Sequence, residues 1–306
     1  MSSLAVPYGV VVVGSDADAR YACERFSLHD SFRVLTEIHP ADQSTLFSGL
    51  LKNDQVHVIY FAGPDDGGRP ASNHIKNAML AGKHVVLRSG VVSDASTLDQ
   101  LAALVTEGVL AFVDEPRRWD DDFLNARSLI DSGKLGLLKR IRLAIHELKF
   151  PGELFSAGVL RDLGSHWIDQ LLAFVDGNLV SSSLRRNFSK DVSAEDGFLA
   201  ILEFTGGLSA MIEIQTDSLL SSRSGWYIEG TAGAYRNGRL YTKTADGEIV
   251  DEPVNRPADS VHGFVEALAS AIGGSTAERS RLVSLSHAAR VQAAMDSLLA
   301  NEIFLP

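Results

Sequence analysis

The chain has 306 residues, 45% of them apolar and 22% charged, which is enough for about two packed domains and too apolar for a disordered chain. Lys and Arg total 28 against 39 Asp and Glu, a net charge of −11 with no basic block, so no nucleic acid partner is expected. One cysteine, Cys23, excludes an internal disulfide, and no Cys/His spacing marks a zinc site; no apolar run reaches the roughly 18 residues of a membrane span, and the N-terminus lacks a basic export start, so a cytoplasmic protein is expected.

Short continuous apolar runs occur at 8–14, 32–38, 56–62, 84–87 and 109–113, which reads as strands buried on both faces. Helical patterns at 17–28, 43–52, 71–81 and 94–107 separate them. The alternation predicts a doubly wound α/β domain with a parallel sheet. Ligands of such sheets bind beyond the carboxyl ends of the strands, here the loops that start at Gly14, His39, Gly63, Arg88 and Asp114.

After Arg118 the rhythm changes. A helix at 121–132, a strand at 138–148 and a helix at 160–175 precede alternating segments at 180–188, 198–204, 209–216, 225–230 and 240–244. Breakers such as Thr205-Gly206-Gly207 and Ala245-Asp246-Gly247 mark antiparallel pairing. Helices at 261–272 and 281–299 close the chain. The expected organisation is a doubly wound α/β domain over 1–118 and an α+β domain with a mostly antiparallel sheet over 119–306.

Several motifs carry a resemblance: Ala81-Gly82-Lys83-His84-Val85 entering a strand, Arg117-Arg118-Trp119 after the last strand of the first domain, and Asp162-x-Gly164-x-His166-x-x-Asp169. Together with the order of elements they resemble the Gfo/Idh/MocA oxidoreductases over nearly the whole chain. The resemblance implies a Rossmann domain followed by an open-faced sheet domain, NAD or NADP as cofactor, and a small sugar, polyol or related carbonyl compound as substrate. It also implies a homo-oligomer built through the C-terminal sheet.

Three departures fall in the loops that would hold the cofactor. After the first strand the chain reads Gly14-Ser15-Asp16-Ala17-Asp18-Ala19, with Asp16 at the family's middle glycine. A carboxylate about 4 Å from a phosphate, at an effective dielectric near 20, repels it by about 4 kcal/mol; Asp16 is equally a good helix N-cap. At the end of the second strand the ribose position falls on His39, with Glu37 on the same strand face, and no arginine there suits a 2′-phosphate, which favours NAD. The loop at Gly63-Pro64 continues into Asp65 and Asp66, and His74 matches a family position facing the nicotinamide. Where the family carries Glu-Lys-Pro, this chain has Arg88-Ser89-Gly90, so Ser89 replaces the catalytic lysine. The cofactor-binding candidates are therefore Gly14, Asp16, Glu37, His39, Pro64, His74, Arg88 and Ser89.

Asp162, His166 and Asp169 fall at i, i+4 and i+7 of the 160–175 helix and share one face. Histidine side chains ordinarily titrate near neutrality, which makes His166 the candidate acid/base; Asp162 is expected either to orient its ring or to bind a substrate hydroxyl, and Asp169 to give support on the substrate side. The same residues also read as a buried Asp-His pair that stabilises the helix. Arg118 is expected either to recognise an anionic substrate group or to lie solvated against the Asp120–Asp122 run. A Ser89/His166/Asp162 hydrolase triad lacks the G-x-S-x-G elbow, and an Asp/His/Asp metal site lacks any further ligand motif. Two classes remain open: an NAD(P)-dependent oxidoreductase, or a non-catalytic ligand-binding or assembly protein on the same fold.

Overall fold

The computed structural model describes residues 6–14, 17–39, 43–63, 72–106, 108–146, 158–188, 195–216, 218–219, 222–254 and 263–303. The chain divides into two units, Met1–Pro116 with Val261–Arg290, and Arg117–Ser260 with Val291–Pro306. A single hand-over at 118/119 was the expectation; instead, residues 261–290 return to the first unit.

The first unit alternates β1 (Tyr8–Val13), α1 (Ala17–Ser27), β2 (Phe32–Ile38), α2 (Gln43–Leu51), β3 (Val56–Phe61), α3 (Ser72–Leu80), β4 (His84–Arg88), α4 (Ala95–Ala102) and β5 (Ala111–Asp114). Near the chain end it regains α7 (Phe264–Ile272), α8 (Thr276–Arg281) and β14 (Val283–Ser284). The sheet order is β14-β5-β4-β3-β1-β2, parallel throughout except for β14, which runs antiparallel to β5. Continuous apolar strands are required because the sheet is packed on both faces: Val10, Val11 and Val12 have no exposed surface. The two-residue strand β14 lies where the sequence pattern predicts one long helix over 281–299. Pairing Val283 with Val113 interrupts that helix.

Two histidines serve as backbone partners in this unit. The Nδ1 atom of His84 accepts from the amide of Leu110 at 3.1 Å, and that of His57 accepts from the amide of Gly9 at 2.9 Å. Burial, with His57 next, pushes the His84 pKa below its usual value. Lys83 is 8% exposed and donates to the Asn53 carbonyl, and Gly82 before it has φ +77°. The Gly82-Lys83-His84 run is therefore a structural turn into β4.

The second unit contains α5 (Asp121–Asp131), β6 (Leu138–His146), α6 (Ser165–Phe174), β7 (Leu179–Asn187), β8 (Gly197–Phe204), β9 (Ser209–Gln215) and β10 (Ser222–Gly230). β11 (Ala234–Arg236), β12 (Arg239–Lys243) and β13 (Ile249–Pro253) complete its sheet. The helix α9 (Leu285–Ala300) is divided between the units at 290/291. The strand order is β13-β12-β11-β10-β6-β9-β8-β7. All pairs are antiparallel except β6 with β9, which is parallel.

Alternation places Ile141, Leu143 and Ile145 of β6, Phe198, Ala200 and Leu202 of β8, and Ala210, Ile212 and Ile214 of β9 in one core. That core also takes Ile168, Leu171 and Leu172 of α6 and Phe123 of α5. The opposite sheet face carries Arg140, Arg142, Ile201, Met211, Glu213 and Glu229, which are half-buried or exposed. Among the described residues no helix is long and apolar enough to cross a membrane.

Candidate functional site

In the first unit the carboxyl ends of the strands bring Gly14, Glu37, His39, Arg88 and Ser89 to one edge. Gly14 is buried, and its amide donates to the Ile38 carbonyl at 3.0 Å. A Cβ at Gly14 would lie 2.9 Å from the Cβ atoms of both Ala19 and Ala62, so only glycine lets α1 come this close to the end of β1. Glu37, paired in register with Val12, and His39 are exposed. Asp16, Pro64, Asp65 and Asp66 lie outside the described residues.

The family's Glu-Lys-Pro position is a tight turn. The amide of Val91 donates to the Arg88 carbonyl at 3.2 Å, and Gly90 between them has φ +88°. Ser89 is half-buried in this turn, with its amide on the Asp114 carbonyl at 3.4 Å. Arg88 extends from β4 to α1, where its Nη2 lies 2.9 Å from Oδ2 of Asp18. His74 packs edge-on against Phe47, centroids 5.0 Å apart, and so contributes to the α2/α3 packing.

Beneath this edge lies a polar group that sequence reasoning missed. Asp114 at the end of β5 is 3% exposed, and its Oδ2 accepts from Nη1 of Arg25 at 2.6 Å and from the Tyr60 hydroxyl at 3.0 Å. Burial first, then the Asp114 charge, push the Tyr60 pKa far up, so the phenol stays a donor. Cys23, half-buried in α1, is likewise pushed up by burial and then by Glu37, and remains a thiol.

In the second unit the helix expected over 160–175 begins with a π-helical turn, Leu160–Gly164, before α6. The i→i+5 pattern widens the helix at Asp162, so the regular α face runs from His166 to Asp169 and Asp162 precedes it by one widened turn. The Ser165 hydroxyl donates to the Arg161 carbonyl at 3.1 Å. A Cβ on Gly164 would meet Phe198 Cζ and Leu160 Cδ1 at 3.0 Å, so the motif's glycine is what lets the turn lie on β8. Asp162 and His166 are half-buried.

Arg118 is not solvated against the Asp120–Asp122 run. Its side chain is 11% exposed and holds Asp169, which is 4% exposed, through two donors: Nε to Oδ2, and Nη2 to Oδ1 at 3.0 Å. Arg117 lies over the Trp167 ring at 4.6 Å and pairs with Asp120 at 3.5 Å. Gln170 is fully buried; its amide nitrogen donates to the Arg117 carbonyl and its oxygen accepts from Trp226 Nε1 at 2.6 Å. The sequence marks Gln170 only as a polar residue on an apolar helix. Its role depends on β10, far away in the chain.

At the first unit's edge a dinucleotide would meet Gly14, which places no side chain at the end of β1, Glu37, an exposed acceptor at the end of β2, and Arg88, whose guanidinium is already paired with Asp18. Among the described residues no group of three or more His, Cys, Asp or Glu is placed to hold a metal.

Comparison with known proteins adds three findings. The GFO/IDH/MocA C-terminal domain matches residues 123–236. The NADP(+) scyllo-inositol 2-dehydrogenase IolW of Bacillus subtilis (strain 168) is 34% identical over 114 residues, 34% of this chain and 32% of that protein. The chain spans about a third to a half of the curated relatives it matches first, with shares of 32%, 39% and 55%. Among solved structures, an NAD-binding protein from Listeria innocua is 21% identical over 97% of this chain and 95% of its own, with a TM-score of 0.75. GenD2 from gentamicin A biosynthesis, in complex with NAD, is 17% identical over 98% and 95%, with a TM-score of 0.70. These two likenesses show the shared two-domain fold. Residues 123–236 are thus similar to the C-terminal domain of the GFO/IDH/MocA family, and the chain as a whole shares the fold of these two solved structures.

Proposed function

We propose that this chain is an NAD(P)-dependent oxidoreductase acting on a small sugar, polyol or related carbonyl compound, with His166 as its acid/base. The observation that carries the reading is the setting of His166: it stands half-buried where a π-helical turn passes into α6, one turn after Asp162 and one turn before the clamped Asp169.

When bound, the nicotinamide supplies a two-electron acceptor or donor for the carbon that changes oxidation state. In the oxidative direction the His166 imidazole takes the proton from the carbinol oxygen, and in the reductive direction it returns that proton to the carbonyl oxygen. Asp162 orients the ring. Gly14 and Arg88 hold the diphosphate, and Glu37 accepts from a ribose hydroxyl, which makes NAD the preferred cofactor. Ser89 has neither the charge nor the acidity of a lysine, so the proton transfer rests on His166. Copies of the chain associate through the open face of the second unit's sheet.

Fluorescence titration with NADH and with NADPH tests the reading: saturable binding is expected, tighter for NADH, and no binding up to millimolar concentration would remove it. A second reading, a non-catalytic ligand-binding or assembly protein, draws on the Asp18–Arg88 ion pair and on Ser89, since the pair places a carboxylate on the guanidinium meant for phosphate.

A further inference from the structure

The turn that carries Asp162 is held by a residue far from the recognised motif. Glu195, just before β8, is 5% exposed, an unusual place for a carboxylate. Its Oε1 accepts from the Leu160 amide at 3.1 Å, and its backbone carbonyl accepts from the Val159 amide at 3.4 Å. Two of the orphan donors at the start of the helix thus end on one residue. Gly158 makes room for it: with φ +94°, a Cβ there would lie 2.3 Å from both Glu195 oxygens. The carboxylate is held from its other side by Arg186 of β7, whose Nη1 lies 3.5 Å from Oε2. The same guanidinium is gripped by Glu302 through Nε at 2.9 Å and Nη2 at 2.7 Å. Glu302 itself is tied down, because the neighbouring Ile303 amide donates to the Leu184 carbonyl of β7 at 2.8 Å.

We propose that Glu195 is a positioning residue, which fixes the start and pitch of the turn that presents Asp162 and His166 and is itself locked by Arg186 and Glu302. The inference rests on the acid/base reading of His166 for its consequence in catalysis, though not for its geometry. A buried charge with two partners is costly to maintain if it serves only as a helix cap, since a serine or threonine would cap as well. What the carboxylate adds is reach: it spans from the β8 approach to the Leu160 amide while still meeting Arg186.

The test separates reach from charge. Glu195→Asp keeps the charge for Arg186 but is one methylene short of Leu160. Glu195→Gln keeps the reach and the acceptor. Amide hydrogen exchange is read at residues 159–166 and across β8 and β9, and the His166 ring resonances are followed by NMR as a function of pH. Expected for Glu195→Asp is roughly tenfold or faster exchange confined to 159–166, with displaced His166 ring signals and an altered titration midpoint. Glu195→Gln restores both close to the unsubstituted protein.

Unchanged exchange and unchanged ring signals in Glu195→Asp would overturn the proposal, as would acceleration spread evenly over the sheet. If Glu195→Asp does not fold, Gly158→Ala, whose Cβ displaces the carboxylate, must reproduce the local acceleration, and its failure to do so in a folded protein also overturns it. Turnover, where present, is expected to fall in kcat with cofactor KM unchanged. Absence of dinucleotide binding would remove the oxidoreductase reading and leave the exchange result standing.

Discussion

Arg118 and Asp169 form a two-pronged ion pair one helical turn from His166, with Nη2 of the arginine 3.0 Å from Oδ1 and Nε on Oδ2. Breaking it from the cationic side leaves the Asp169 carboxylate, 4% exposed, without its counter-charge. Arg118→Ala is expected to lower unfolding free energy by about 3–5 kcal/mol in urea denaturation, and Arg118→Lys to recover only part, because an ammonium cannot match both oxygens at once. A loss below about 1 kcal/mol for the alanine variant would contradict the clamp.

His84 gives a pH dependence of known sign. Its folded pKa is depressed by burial, and its Nδ1 must stay unprotonated to accept from Leu110. As pH falls below the ordinary histidine value of about 6.5, the unfolded chain takes up a proton that the folded chain refuses. Stability is therefore full above that value and declines as pH falls toward the folded pKa. His84→Asn is expected to flatten this part of a Tm-against-pH curve; an unchanged slope would contradict the assignment.

Gly14 is constrained from two sides, with Ala19 and Ala62 each 2.9 Å from where a Cβ would stand. Gly14→Ala is expected to cost about 1–3 kcal/mol in urea unfolding, and Ala19→Gly in the same chain to return part of it. No return would place the strain elsewhere.

Asp18 competes for Arg88 at the edge of the first unit's sheet. Both side chains are about two-fifths exposed, 40% and 43%, so the pair itself is weak. Asp18→Asn is expected to tighten NADH binding by about threefold to fivefold, the equivalent of ~1 kcal/mol, with the gain shrinking at high salt. Unchanged affinity at low salt would show that Arg88 does not meet the phosphates.

The first unit's sheet was legible because packing on both faces writes itself as unbroken apolar runs; Val10 to Val13 and Val85 to Leu87 needed no partner to be recognised. Of the β11–β12 hairpin only the second strand was expected, at 240–244; β11 was missed although the turn signal is present, with Asn237-Gly238 at φ +50° and +72° between paired Arg236 and Arg239. Strand β13 has all five residues exposed, so no alternation marks it. Asp162, His166 and Asp169 could be found by helical spacing. Glu195, Arg186, Asp114 and Tyr60 could not, because each is defined by a partner on a strand or helix remote in sequence. The π-helical turn was equally hidden, since the residues it meets, Glu195 and Phe198, lie more than thirty positions further along the chain.

The central claim is that His166 moves the proton while the first unit binds the cofactor. The most direct measurement is His166→Ala, compared with the unsubstituted protein in both NADH affinity and dinucleotide-dependent turnover. The account predicts affinity within about twofold and turnover lower by roughly 10²–10⁴-fold. Turnover equal to that of the unsubstituted protein would contradict it.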